Sequence, residues 1–237
     1  MHLAAVDHMS NNGESFIHKS KPITKVLMAG LFLAGIIVSD NLVKLGFLLL
    51  IIFILITLSR VNIKEIMHLA LYPVFFSMVF ALLKVQESWA AGAVVMLKAL
   101  SAAMSMLLLI STTSYVDIFS IFSLFMPSII VDIFIFTYRS LFILLDKLEN
   151  LLKSIKLRGG YHPLGFFSNL KNVAGALGIM IIHSFDMSDR LYRIYALRGY
   201  NGRIPITRDW WPLRFSDIIL LTFSIIVLVG MVIPWSI

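Results

Sequence analysis

Leu42–Leu58 reads LVKLGFLLLIIFILITL, a stretch in which Lys44 is the single charged residue and no face of a helix is polar. A helix on a soluble domain keeps one polar side for water, so this run is built to be surrounded by apolar material. Crossing a hydrocarbon core takes about 20 residues, and only helices or closed barrels satisfy their own backbone there. Outward from it lie further apolar runs at Thr24–Val38, Ile66–Leu83, Ala90–Thr112 and Asp217–Val232. Short polar connectors containing Asp40 and Lys44, Arg60 and Lys64, and Lys84 and Glu87 separate the first four. Ten-residue segments of strict apolar–polar alternation, the mark of an outer-membrane barrel, are absent from the sequence. The expected fold is an all-α integral membrane protein with about five transmembrane helices plus amphipathic cytoplasmic helices. Its divisions are a cytoplasmic lead-in (1–23), a four-helix transmembrane region (24–112), a cytoplasmic or interfacial segment (113–215) and a last transmembrane helix (216–237).

Composition agrees: 59% of the 237 residues are hydrophobic, 14% are charged and the mean hydropathy is +0.91. Soluble domains run nearer half apolar and a quarter charged. There is no cysteine, which excludes disulfides, thiolate metal sites and thiol catalysis. The net charge of +7 comes from basic residues lying between apolar runs, where they report topology and headgroup contact rather than nucleic-acid binding. With five spans, Lys19, Lys21, Lys25, Arg60, Lys64 and the basic 113–214 segment fall on one side, leaving Lys44 and Lys84 on the other. That side is expected to be the cytoplasm, and with it the N-terminus, which lacks the apolar core of a cleavable signal. Trp210, Trp211, Pro234 and Trp235 then sit at membrane interfaces.

Between Thr113 and Arg214 there are twelve Lys or Arg against seven acidic residues, and charge interrupts the apolar stretches. Ser128–Leu145 is apolar enough to span, yet it holds Asp132 and Arg139 and runs into Asp146-Lys147-Leu148-Glu149, which favours an amphipathic helix at the interface. A second helix is expected over about Leu170–Ala196. Each stretch ends alike, in Lys156-Leu157-Arg158-Gly159-Gly160 and Ala196-Leu197-Arg198-Gly199-Tyr200. Glycine after the last turn permits a left-handed cap, arginine faces the negative end of the helix dipole, and Pro163 or Pro205 stops the helix resuming. Two plain helix stops explain this; so do two forked guanidinium knobs for a partner with acidic grooves.

His183–Gly202, HSFDMSDRLYRIYALRGYNG, closely resembles the second signature region of the T subunits of energy-coupling factor (ECF) importers, in the cobalt/nickel CbiQ/NikQ branch. Thr112-Thr113, Pro127, Tyr138-Arg139 and Leu157-Arg158-Gly159 follow that family's order, and Ser20-Lys21-Pro22 with Lys25 resembles its N-terminal Asp-Pro-Arg-x-Lys segment. Leu-Arg-Gly in place of Ala-Arg-Gly, and Asp189 in place of glutamate, leave the substrate branch open. The resemblance implies a multi-pass protein of the cell (inner) membrane that is a non-catalytic coupling (T) subunit. Its implied partners are two ATP-binding cassette ATPase subunits and a substrate-binding membrane S subunit, within the lipid bilayer. Leu157, Arg158, Gly159, Leu197, Arg198 and Gly199 are the implied ATPase-docking residues. No cofactor is expected on this chain, ATP and Mg being held by the ATPases. The cargo is cobalt or nickel, with a vitamin as the alternative.

The chain has no Gly-x-x-x-x-Gly-Lys-[Ser/Thr] loop, His-Glu-x-x-His or Gly-x-Ser-x-Gly, so neither ATP hydrolysis nor membrane proteolysis is expected of it. His2, Asp7, His8 and His18 suggest a metal site, against which stands their irregular spacing. His68 and His183 read as interfacial or hydrogen-bonded helix residues, and Met104 and Met106 as packing or lipid-facing. Lys98, inside the fourth run, is a functional candidate because an intramembrane charge is costly, or else a lysine that snorkels to the outer end. A self-sufficient secondary transporter or channel is the rival class; it wants midplane polar groups and broken helices, and Lys98 is the main such group here.

Overall fold

The computed structural model describes Ser10 and residues 15–160, 165–200 and 214–233, and among these it contains helices and no strand. From residue 15 onward the helices are α1 Pro22–Val38, α2 Leu42–Leu58, α3 Ile63–Val85, α4 Trp89–Thr112, α5 Tyr115–Phe122, α6 Ser128–Leu157, α7 Phe166–Leu197 and α8 Phe215–Val232. They fall into two compact units, one made of Met1–Ile121 with Thr207–Ile237, the other of Phe122–Ile206.

In the first unit α4 packs against α1, α2 and α3, and α8 packs against α1. Leu45, Leu48, Ile52 and Ile56 form the buried stripe of α2 at helical spacing, while Phe47, Leu50, Ile54 and Leu58 of the same helix are exposed. Both faces are apolar because the exposed one is made for lipid, so burial here is chosen by shape and not by hydrophobicity. The buried face of α4 accordingly carries small residues, Gly92, Ser101, Ser105 and Ser111, which let neighbouring backbones come close. Gly92 marks the tightest approach: a Cβ there would overlap Cγ2 of Val85 and lie 3.2 Å from the Ala81 carbonyl on α3.

Chain ends fix the directions. The start of α1, the end of α4 and the start of α8 meet, with Lys21 N donating to Asp217 Oδ1 (2.7 Å) and Lys25 Nζ to the Thr112 carbonyl (2.7 Å). At the opposite end Lys44, early in α2, reaches Met231 at the close of α8. Thus α1 and α8 run one way and α2 and α4 the other. Helices α3 (23 residues), α4 (24), α6 (30) and α8 (18) are long and apolar enough to cross a membrane; α1 and α2, at 17 residues, are shorter apolar helices at the lower end of the spanning range.

In the second unit α6 and α7 pack antiparallel. Asn172 of α7 meets Gly160 just past α6 at one end, while at the other Arg139 meets Tyr195 in the last turn of α7 and Asp132 near the start of α6 meets Tyr200 just past α7. The apolar half expected at 128–145 and the charged half that follows are one uninterrupted helix, and α7 begins four residues before the expected Leu170. The short α5, capped by the Ser114 hydroxyl accepting from Asp117 N, was not expected, since eight residues are too few to display a period. Between α6 and α7 lies a groove of about 590 Å³ lined by Leu144, Leu148, Met180, Met187 and Leu191. Val131, Asp132, Ala176 and Met187 are the buried residues of the two helices, so the unit leaves most of its apolar surface uncovered.

Gly92→Ala is expected to lower stability by about 1–3 kcal/mol through overpacking against α3. Because the closest clash is with a side-chain methyl, Val85→Ala should restore most of the loss. Thermal unfolding of the detergent-solubilised variants measures both.

Candidate functional site: two arginine-tipped helices

The two Leu-Arg-Gly segments close α6 and α7 with the same backbone geometry. Gly159 (φ +72°) and Gly199 (φ +79°) occupy the left-handed region that side chains disfavour. Gly159 N donates to the Lys156 carbonyl and Gly160 N to that of Ile155, while Gly199 N donates to Ala196 and Tyr200 N to Tyr195. This pair of bonds is the Schellman cap, which satisfies carbonyls that the helix end would otherwise leave open. In each tip the cap turns the chain away and leaves the preceding side chains projecting: Leu157 is 88% exposed and Leu197 89%, and Arg158 and Arg198 are exposed beside them. Neither guanidinium has a side-chain partner among the described residues. Pro163 and Pro205 lie outside the described residues. Because the hairpin is antiparallel, the tips stand at its opposite ends, separated by some 25 helical residues at 1.5 Å each, or roughly 40 Å.

The tips are held by the opposing helix. Tyr200 donates its hydroxyl to Asp132 Oδ2 (3.0 Å), Arg139 Nη1 donates to the Tyr195 hydroxyl (2.9 Å), and Phe136 meets both tyrosine rings edge-on at 4.6 and 5.8 Å. Burial and the bond to Asp132 raise the Tyr200 phenol above its ordinary pKa, so it remains a donor. Asp132 was legible as a charge in an apolar run, but its partner, 68 positions away, was not.

Lys98 takes up a structural post. Its ammonium donates to Asp40 Oδ1 (2.7 Å) and to the Ile37 carbonyl (3.3 Å) at the end of α1. Two other lysines behave alike. Lys44 donates to the Met231 (3.0 Å) and Ile233 (2.6 Å) carbonyls at the end of α8, and buried Lys25 to the Thr112 carbonyl at the end of α4 and to the His18 carbonyl (3.0 Å). Each supplies a cation to the C-terminus of a different helix, where unsatisfied carbonyls and the dipole attract it. Asp217, fully buried in the first turn of α8, is the complementary anion: it accepts from Lys21 N and from Arg214 N (2.8 Å), joining the starts of α1 and α8. Sequence reading used Asp217 as a span boundary and Lys44 as a connector charge that reports topology; neither reading points to the helix end that each one joins.

Of the histidines, His18 packs in this knot, with Nδ1 2.7 Å from the Ser15 hydroxyl and Nε2 3.3 Å from the Ser111 carbonyl. His68 stands edge-on to Tyr72, and His183 is half-buried on α7. His2, Asp7 and His8, like Trp210, Trp211, Pro234 and Trp235, lie outside the described residues. Among the described residues no group of three His, Asp or Glu is placed to hold a metal. Met104 is buried in the core and Met106 exposed.

Several apolar helices with lysine-capped ends, and a hairpin bearing two arginine tips, define a multi-pass helical membrane protein. Residues 13–208 match the CbiQ family, described as cobalt transport protein, and the chain belongs to that family. CbiQ proteins are membrane components of multi-subunit ECF cobalt transporters, normally non-catalytic. The chain is also similar to two uncharacterised proteins of Methanocaldococcus jannaschii, MJ1571 (32% identical over 109 residues, 46% of this chain and 36% of that protein) and MJ1089 (33% over 107 residues, 43% and 38%). The matches thus span little more than a third of those relatives' length.

Lys25→Met is expected to destabilise by about 1–3 kcal/mol, because it strands buried carbonyls. Lys98→Met, at a partly exposed pair, should cost less. The hydrogen bond and positive charge of Lys98 also hold the Asp40 carboxyl below the usual aspartate range. The resulting stability is fully present above the ordinary aspartate value of about 3.9 and is lost as pH falls through the lowered one, so Lys98→Met should blunt unfolding in acid below about pH 4. Thermal melts of the two variants against pH test the ordering.

Proposed function

We propose that this chain is the transmembrane coupling subunit of an ATP-driven ECF-type importer of cobalt or nickel, carrying the motion of two ATP-binding cassette subunits to a substrate-binding membrane subunit. The observation that supports it is the pair of tips: identical caps, each presenting an almost wholly exposed leucine beside an unpartnered arginine, some 40 Å apart, one for each ATPase. An exposed leucine at a rigid helix end costs free energy in water unless a partner covers it, and a forked guanidinium suits an acidic groove. The chain itself needs no reacting group, since ATP and Mg belong to the ATPases.

Orientation follows from charge. Lys19, Lys21, Lys25, Arg60 and Lys64 gather at the end of the first unit where α4 finishes and α8 begins, and we assign that end to the cytoplasm. Because the chain leaves α4 and re-enters α8 at the same end, α6 and α7 must cross the membrane both or neither. Helix α7 carries Lys171, Asp186, Asp189, Arg190 and Arg193. The reading we adopt is therefore five spans, with α6 and α7 at the cytoplasmic interface despite the apolar first half of α6.

Arg158→Glu with Arg198→Glu is expected to release the ATPases on co-purification and abolish transport-coupled hydrolysis. Loss of one desolvated charge pair costs about 2–5 kcal/mol, or at least thirtyfold in affinity. Equal retention by a folded double variant would place docking elsewhere, and no binding even by the wild type would bring the secondary-transporter reading forward.

A further inference from the structure

Both tips share a feature that the docking motif does not require. The residue that completes each Schellman cap is tied to the early turns of the opposite helix: the Gly160 carbonyl accepts from Asn172 Nδ2 on α7, and the Tyr200 hydroxyl donates to Asp132 on α6. These bonds lie at the two ends of the hairpin, with the open groove between them. A helix pair with so little buried surface is free to splay or slide unless its ends are fixed, and Gly160 is packed closely enough that an added Cβ would meet Ile155 Cγ2 at 2.8 Å and Asn172 Nδ2 at 3.3 Å. We propose that Asn172 and the Asp132–Tyr200 pair are positioning residues: two end clamps that hold Arg158 and Arg198 at a fixed spacing and bearing, so that the ATPases meet one rigid two-headed element. The inference rests on the docking reading.

The clamps are chemically distinct. At Arg198 the side-chain bond is reinforced by the edge-on contacts of Phe136 with Tyr195 and Tyr200 and by Arg139 on the Tyr195 hydroxyl. At Arg158 the clamp among the described residues is one amide donor on a backbone carbonyl. The Arg198 tip keeps its aromatic packing when only the Tyr200 hydroxyl is lost, so removal of Asn172 is expected to loosen its own tip more.

The chain has no cysteine, so nitroxide labels on Leu157→Cys and Leu197→Cys report the spacing of the tips in the full-length protein without background. In lipid nanodiscs the distance distribution should be narrow for the wild-type background and should broaden with Tyr200→Phe, and more with Asn172→Ala. Asn172→Asp, which keeps the shape and loses the donor, is the second variant should the alanine chain fold poorly. On chains carrying native Leu157 and Leu197, each substitution should weaken retention of the ATPase subunits roughly three- to tenfold, the worth of one net hydrogen bond, with little change in melting temperature. A purely structural role would shift the melting temperature and leave the retention ratio alone. Unchanged distributions, or broader distributions with unchanged retention, would overturn the clamps as positioning devices. If the arginine double variant still held the ATPases, the docking reading would fail by itself, and the distance distribution alone would then decide whether the clamps exist.

Discussion

An open carbonyl at the end of a helix needs a donor, and in the first unit lysines of neighbouring helices supply it. Each of three lysines reaches from its own helix to the C-terminal carbonyls of another: Lys25 to α4, Lys44 to α8, Lys98 to α1. One cation thereby satisfies acceptors, opposes a helix dipole and joins two helices that hydrophobicity alone would not hold in register, because lipid covers a leucine as well as a neighbouring leucine does. Asp217 does the reverse at helix starts, drawing the N–H groups of Lys21 and Arg214 onto one buried carboxylate. Charges in so apolar a chain are thus fasteners first.

The second unit follows a different rule. Its helices bury little against each other and expose Phe166, Phe167, Ile181, Ile182 and Phe185, together with the leucines of both tips. Such a surface marks a contact with lipid or with protein. What the unit does fix is the two ends, through caps and cross-helix bonds. The middle of the hairpin is an open groove rather than an enclosed cavity.

The membrane class and the long apolar helices were readable because hydrocarbon imposes a length and forbids unpaired backbone, constraints that leave their mark in any window of about twenty residues. The Leu-Arg-Gly tips were equally readable, since a left-handed residue calls for glycine at one position whatever the rest of the protein does. Lys98 stood out as a charge within an apolar run, but its partner Asp40 lies 58 positions away and an exposed charge pair leaves no local pattern. The short α5 fell below the length at which a period can be seen.

The sequence by itself determined that the chain is an apolar helical membrane protein, where its long helices run and how two of them end, because each of these is a local demand of lipid or of backbone geometry. Only the tertiary structure decided which carbonyls Lys25, Lys44 and Lys98 would serve, that the two arginine tips point to opposite ends of an antiparallel hairpin, and that Asp132 and Asn172 hold them. Those depend on which helix lies beside which, and in a protein whose faces are apolar on every side no residue pattern announces its neighbour.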